Sequence, residues 1–132
     1  MPDRYFTLEE AQQMVAWLEE AFRALAPLNE KVQHLGEEVA TLEKRTQSNG
    51  GSKTSVELDL LRPGLNEAAD ALSSHLDEVQ SRGVIVKSID QGLMDFPSMR
   101  EGRVVYLCWH TGEERIGFWH ELDTGFAGRQ PL

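Results

Sequence analysis

Cysteine is almost absent from this chain of 132 residues: Cys108 stands alone, so no intramolecular disulfide can form and no cysteine framework can stand in for a packed core. Long apolar runs are missing as well. Nothing approaches the roughly 20 residues that cross a bilayer as a helix, and the opening MPDRYFTLEE holds no apolar leader. These absences lead us to expect a cytoplasmic setting. Positive charge is also scarce, with 13 Lys and Arg against 22 Asp and Glu and a net charge of −9. Such a surface repels phosphate backbones and anionic lipid, which argues against nucleic acid or a membrane as partner. Cofactor signatures are lacking too. The GFAGR segment at Gly125 to Arg129 has no Lys-Ser/Thr pair and is not a P-loop, so no cofactor is expected.

What is present suits one ordinary domain, 1–132, since hydrophobic residues at 40% and charged residues at 27% are enough to build and solvate a core. Residues 7–82 carry 14 acidic and 7 basic side chains, and residues 83–132 carry 7 and 5. The acidity therefore belongs mostly to the first part, where the hydrophobic period is helical. Thr7-Leu8-Glu9-Glu10 is a capping-box pattern with Phe6 as a staple. Leu8, Ala11, Val15, Leu18, Phe22 and Leu25 then form a stripe at spacings of three and four, continued by Leu28, Val32, Leu35, Val39 and Leu42. Pro27 interrupts that stripe and is expected to kink or split the helix.

The polar turn SNGGSK, Ser48 to Lys53, should end the first helix and reverse the chain. Thr54 to Glu57 reads as a second capping box, followed by a stripe of Leu58, Leu61, Leu65, Ala68, Leu72, Leu76 and Val79 and closed by Gly83 as a left-handed C-terminal residue. The expectation for 1–82 is a long antiparallel helical hairpin, coiled-coil-like in its packing, with a first helix of roughly 60 Å. An arm of that length suits a protein partner or self-association as a dimer. Trp17 lies off the stripe, placed to reach the sheet or a partner.

From Gly83 the period becomes two. Val84 to Ser88 reads as a strand and Ile89 to Met99 as an irregular crossing segment. Arg103 to Trp109 and Arg115 to Glu121 read as a β-hairpin around a five-residue connection, His110 to Glu114. The fold class is thus α+β: the helical hairpin, then in 83–132 a small antiparallel sheet of about three strands with a Gly-rich tail. Pairing Trp109 with Arg115 puts Val104, Tyr106, Cys108, Ile116, Phe118 and His120 on one face and Val105, Leu107, Trp109, Gly117 and Trp119 on the other. The tryptophan face is the one expected to lie beyond the helices, beneath the tail, the segment Ile89 to Met99 or a partner.

The segments YFTLEEA (5–11), GLMDFP (92–97), YLCW (106–109) and WHELDTGFAGRQPL (119–132) resemble the prokaryotic family catalogued as domain of unknown function 2203. The resemblance covers nearly the whole chain, its helical middle being generic. It implies no activity and assigns no catalytic residue. His110 departs from the basic residue that the family pattern places after the Cys-Trp pair.

Candidate functional residues follow from chemistry alone: Asp95, Arg103, Cys108, Trp109, Trp119, His120, Glu121 and Arg129. Cys108 and His120 are weak metal-ligand candidates within a pool that also holds His110, Asp95, Glu121 and Asp123. The register above separates those two by roughly 13 Å, too far to share an ion. Cys108 with His110 as base would be a nucleophile pair, against the plainer reading of a small buried hydrophobe. In the tail, Phe126 is expected to fold over the outer sheet face and Arg129 to pair with Glu121 or Asp123, leaving room for a small ligand. Arg100, Arg103, Arg115 and Arg129 alternate with Glu101, Glu113, Glu114 and Glu121, which favours ion pairs over a basic patch. The function expected is a non-enzymatic interaction or regulatory module. The alternative is a small metal-binding protein or enzyme centred on Cys108, His120, Glu121 and Arg129.

Overall fold

The first helix begins where its side chains satisfy the free backbone donors. In the computed structural model, which describes residues 4–49 and 52–132, Thr7 Oγ1 accepts the Glu10 N–H at 3.1 Å and the Glu10 carboxylate accepts the Thr7 N–H at 2.9 Å. This box opens α1 (Leu8–Gln13), and α2 (Val15–Asn49) follows after one irregular residue, Met14. The interruption expected at Pro27 is therefore found at Met14, whose N–H bonds back three residues to Ala11. Helix α2 runs on through Pro27, which sits on its exposed side near an exposed Arg23. The carbonyl that loses its intrahelical donor there faces water, so the loss is tolerated.

Helix α3 (Ser52–Ser81) returns antiparallel to α2 and likewise carries a proline, Pro63, on an exposed position. It starts two residues before Thr54, so the expected second capping box lies inside the helix and not at its start. Gly50 and Gly51 of the expected turn lie outside the described residues. Beyond α3, Gly83 adopts φ 93° and its N–H bonds to the Gln80 carbonyl at 2.9 Å, the left-handed stop expected there. Among the described residues no helix is long and apolar enough to cross a membrane.

Five strands follow instead of about three: β1 (Ile85–Ser88), β2 (Leu93–Arg100), β3 (Arg103–His110), β4 (Phe118–His120) and β5 (Gln130–Pro131), with a 3₁₀ turn at Phe126–Gly128 before the last. They form an antiparallel sheet in the order β1-β2-β3-β4-β5. The segment expected to be irregular thus contains a full strand, β2, despite its internal Pro97. Pairing with β1 stops at Asp95, and beyond it the Pro97 carbonyl accepts the Phe6 N–H at 2.7 Å while Ser98 Oγ donates to the Phe6 carbonyl at 2.6 Å. Proline is acceptable where a ladder donor is not required.

The hairpin register also differs from expectation. Leu107 pairs with Trp119 and Tyr106 with His120, two residues away from the Trp109–Arg115 alignment. The connection spans Thr111 to Gly117 and is pinned from three sides: Trp109 Nε1 donates to the Glu113 carbonyl at 2.8 Å, while the Gln12 amide bonds the Glu114 carbonyl at 3.2 Å and the Ile116 N–H at 2.8 Å. A two-residue shift preserves alternation, so the face assignments within β3 and β4 hold.

Their destinations are reversed. Met94, Phe96, Val105, Leu107, Trp109 and Trp119 join the helical stripe from Ala11 to Leu25 and Val79 of α3 in one core. Ile116, outside any strand, belongs to that core and not to the Cys108 face. Trp17 packs against it from α2, with the Arg82 guanidinium 3.9 Å above its ring. A separate cluster of Val39, Leu42 and Leu58, with Leu61 and Leu65, joins the distal parts of α2 and α3, and no strand residue contributes to it.

Two glycines test this backbone. A Cβ at Gly83 would lie 3.1 Å from the Arg4 Cβ at a positive φ, so Gly83→Ala should cost about 1–3 kcal/mol in urea unfolding. Helical Gly36 has nothing within 4 Å of its Cβ position, and Gly36→Ala should stabilise by about 0.5–1 kcal/mol. Equal effects of the two substitutions would contradict the assigned conformations.

Candidate functional site

With the tryptophan face turned to the helices, strand alternation directs Asp95 of β2, Cys108 of β3 and His120 of β4 to the outer face. Asp95 pairs directly with Cys108, and His120 pairs with Tyr106, the next outward residue along β3. The side chains of Asp95 and His120 meet above the small Cys108, with His120 Nε2 3.1 Å from Asp95 Oδ1. One ligand-type atom from each residue, carboxylate oxygen, thiol sulfur and imidazole nitrogen, lies within 4.8 Å of the others. The separation of roughly 13 Å expected between Cys108 and His120 is overturned, because the two-residue register shift places them diagonally adjacent.

All three residues are 2% exposed. The Tyr106 ring packs edge-on against His120 at 5.5 Å, and Lys87 Nζ stands 5.1 Å from the Tyr106 ring. Hydrogen bonding fixes the proton positions. A carbonyl can only accept, so His120 Nδ1 carries the proton it donates to Glu121 O at 2.7 Å. Nε2 must therefore share one further proton with Asp95, as imidazolium with carboxylate or as imidazole with carboxylic acid. Both forms are neutral overall. Burial pushes the Asp95 carboxyl above the usual carboxylate range, opposed by the His120 charge and hydrogen bond. Burial, then the neighbouring Asp95 charge, push the Cys108 thiol up to about 11, with the Arg129 charge acting the other way.

The remaining candidates separate from this cluster. Trp109 and Trp119 lie in the helix-facing core. Arg103 and Glu121 form a surface pair through Arg103 Nε and Nη2, which holds the Glu121 carboxyl below its usual range and raises the Arg103 guanidinium. The contribution of Glu121 to the site is its backbone carbonyl.

Arg129 pairs with Glu113, not with Glu121 or Asp123. Its Nη2 lies 2.9 and 3.0 Å from the two carboxylate oxygens, and its guanidinium stacks 4.1 Å from the Phe118 ring and 4.6 Å from the Phe126 ring. Phe126 is correspondingly 47% exposed and is not a lid over the tryptophan face. His110, the candidate base for Cys108, is bound instead to the Thr111 carbonyl through Nδ1 at 2.9 Å, with Nε2 3.6 Å from Glu113. A cleft of about 860 Å³ between α1 and residues 114–116 contains none of the candidate residues. The residues that sequence reasoning passed over are Tyr106 and Lys87, while Glu113 entered only as one of several ion-pairing carboxylates. No local pattern marks them, since each acquires its role from a neighbour on another strand or loop.

The family model described as "Uncharacterized conserved protein (DUF2203)" matches residues 4–132. The chain belongs to this family. No curated protein and no solved structure matches it. Family membership thus supplies a label that spans hairpin, sheet and tail together, and the chemistry of the site must be argued from its own atoms.

Those atoms give a direct test of the thiol. Ionisation near 11 instead of 9.0 leaves about 100-fold less thiolate at pH 8. Iodoacetamide should therefore alkylate Cys108 on the order of 100-fold more slowly than a free thiol, with the rate still climbing at pH 10. Rapid alkylation at pH 7 would contradict the geometry.

Proposed function

We propose that this DUF2203 protein acts by binding rather than by catalysis, with Asp95, Cys108 and His120 as its ligand site. The observation that carries this reading is the position of the cluster. An ionisable pair, 2% exposed, occupies the sheet face opposite the helical layer. Burying such a pair costs several kcal/mol per ion before pairing offsets it, and apolar residues would fill the same space as well or better. A cost that the fold does not require points to use. The thiol argues against nucleophilic chemistry, being buried and protonated at neutral pH, with His120 engaged by Asp95 and Glu121 and His110 by Thr111.

The helical arm supports a further part of the reading, association with a second copy. Val56 and Leu60, one turn apart on α3, are 59% and 75% exposed, while distal packing between α2 and α3 rests on the small cluster around Val39, Leu42 and Leu58. A pair of helices with so small a shared core gains from a second pair laid against it.

Two measurements test these statements. If the Asp95–His120 pair serves a ligand, the double variant Asp95→Leu/His120→Phe should be as stable as the parent or up to about 4 kcal/mol more stable in urea, whereas His120→Phe alone should lose about 3–5 kcal/mol. A double variant as unstable as the single one would make the pair a fold element and sink the ligand reading. For the arm, sedimentation equilibrium should show a concentration-dependent dimer that Val56→Lys/Leu60→Lys dissociates; a monomer at every concentration would refute self-association.

A further inference from the structure

We infer that the ligand of this site is a divalent transition-metal ion of the zinc class, held by Asp95 Oδ1, Cys108 Sγ and His120 Nε2. The inference rests on the binding reading above and names its ligand. Three observations carry it.

The first is the donor set. One thiolate, one imidazole and one carboxylate form the borderline combination that zinc and cobalt ions accept and that hard, oxygen-seeking cations do not favour. The second is spacing. Two ligands bound tetrahedrally at about 2.0–2.1 Å stand roughly 3.3 Å apart, and His120 Nε2 lies 3.1 Å from Asp95 Oδ1, with Cys108 completing a triangle whose sides stay within 4.8 Å. A cation can replace the shared proton after small side-chain adjustments. The third is orientation. The hydrogen bond from Nδ1 to the Glu121 carbonyl selects the tautomer that leaves the Nε2 lone pair for the metal, the outer support that ligating histidines commonly have. Arg103, by gripping Glu121, helps to hold that carbonyl in place.

Charge balance fits a buried location. Before loading, the thiol is neutral and the Asp95–His120 pair shares one proton, so the cluster carries no net charge. Loading expels two protons, one from Cys108 and one from that pair, and brings in one dication. Thiolate, carboxylate and metal then sum to zero, so occupancy adds no net charge to the enclosed face. Three protein donors leave a fourth tetrahedral position for a water or another small donor.

The test uses the full chain, stripped with a chelator and titrated with Co²⁺ in weak buffer. One equivalent should bind, with a thiolate-to-cobalt charge-transfer band, the intense visible bands of four-coordinate cobalt, and two protons released per ion; Zn²⁺ should displace it. Cys108→Ser should abolish the charge-transfer band and weaken binding by on the order of 100-fold or more, at least the loss seen when outer support alone is removed. The Asp95→Leu/His120→Phe variant should not bind. Absence of one-equivalent binding, or binding unchanged in both variants, would overturn the metal assignment. The two readings fail separately: a stable double variant with no metal bound by the parent removes the metal alone, and an unstable double variant removes the ligand site itself.

Discussion

Alternation along a β-strand couples neighbours that have nothing else in common. Once Leu107 and Trp109 of β3 and Trp119 of β4 pack beneath the stripe of α2, the residues between and beside them are committed to the opposite direction. Cys108 and His120 point outward because two tryptophans point inward. The largest gain in apolar burial and the most costly polar burial are therefore set by one choice of face. A one-residue slip would exchange them, placing an Asp–His pair in the helix interface and indole rings in water. That penalty excludes a slip of one residue, and the loop contacts of Trp109 and Gln12 select among the registers that keep the same faces.

Much of the architecture was legible because it follows from periodicity. The helical stripes, the cap at Thr7, the stop at Gly83 and the strand β3 each depend on residues close together in sequence. What escaped depends on residues far apart. Strand β2 is obscured in the sequence by Pro97, whose missing donor matters little because pairing with β1 ends at Asp95 and the N-terminal segment, at Phe6, calls only on its carbonyl. Pro27 reads as a breaker in the sequence, yet α2 runs through it on an exposed position. The hairpin register lies two residues from the one the sequence suggests because Gln12 and Trp109 pin the loop in a way that no turn motif announces.

The candidate site shows the same division. Asp95, Cys108 and His120 were all recognisable as chemically able residues, and parity alone placed Cys108 and His120 on one face. Their convergence was not, since it requires both the register and the arrival of Asp95 on β2, a strand whose Pro97 hides it in the sequence. Arg129 found Glu113 instead of Glu121 or Asp123 because the Phe118 and Phe126 rings form a slot that directs its guanidinium toward the loop. Sequence proximity favoured the wrong carboxylates.

Strand lengths across the sheet are unequal. Asp95 and Cys108 stand on β2 and β3, eight residues each and paired along their whole length, whereas His120 stands on β4, three residues long, paired with β3 on one side and bordered on the other by the two residues of β5. Short marginal strands open at far lower free energy than a long central pair. The cluster is thus built like a clasp, with two parts on the long central pair and the third on a short marginal strand. Whatever steadies that strand completes the set, and whatever loosens it withdraws the imidazole while the carboxylate and thiol stay where they are.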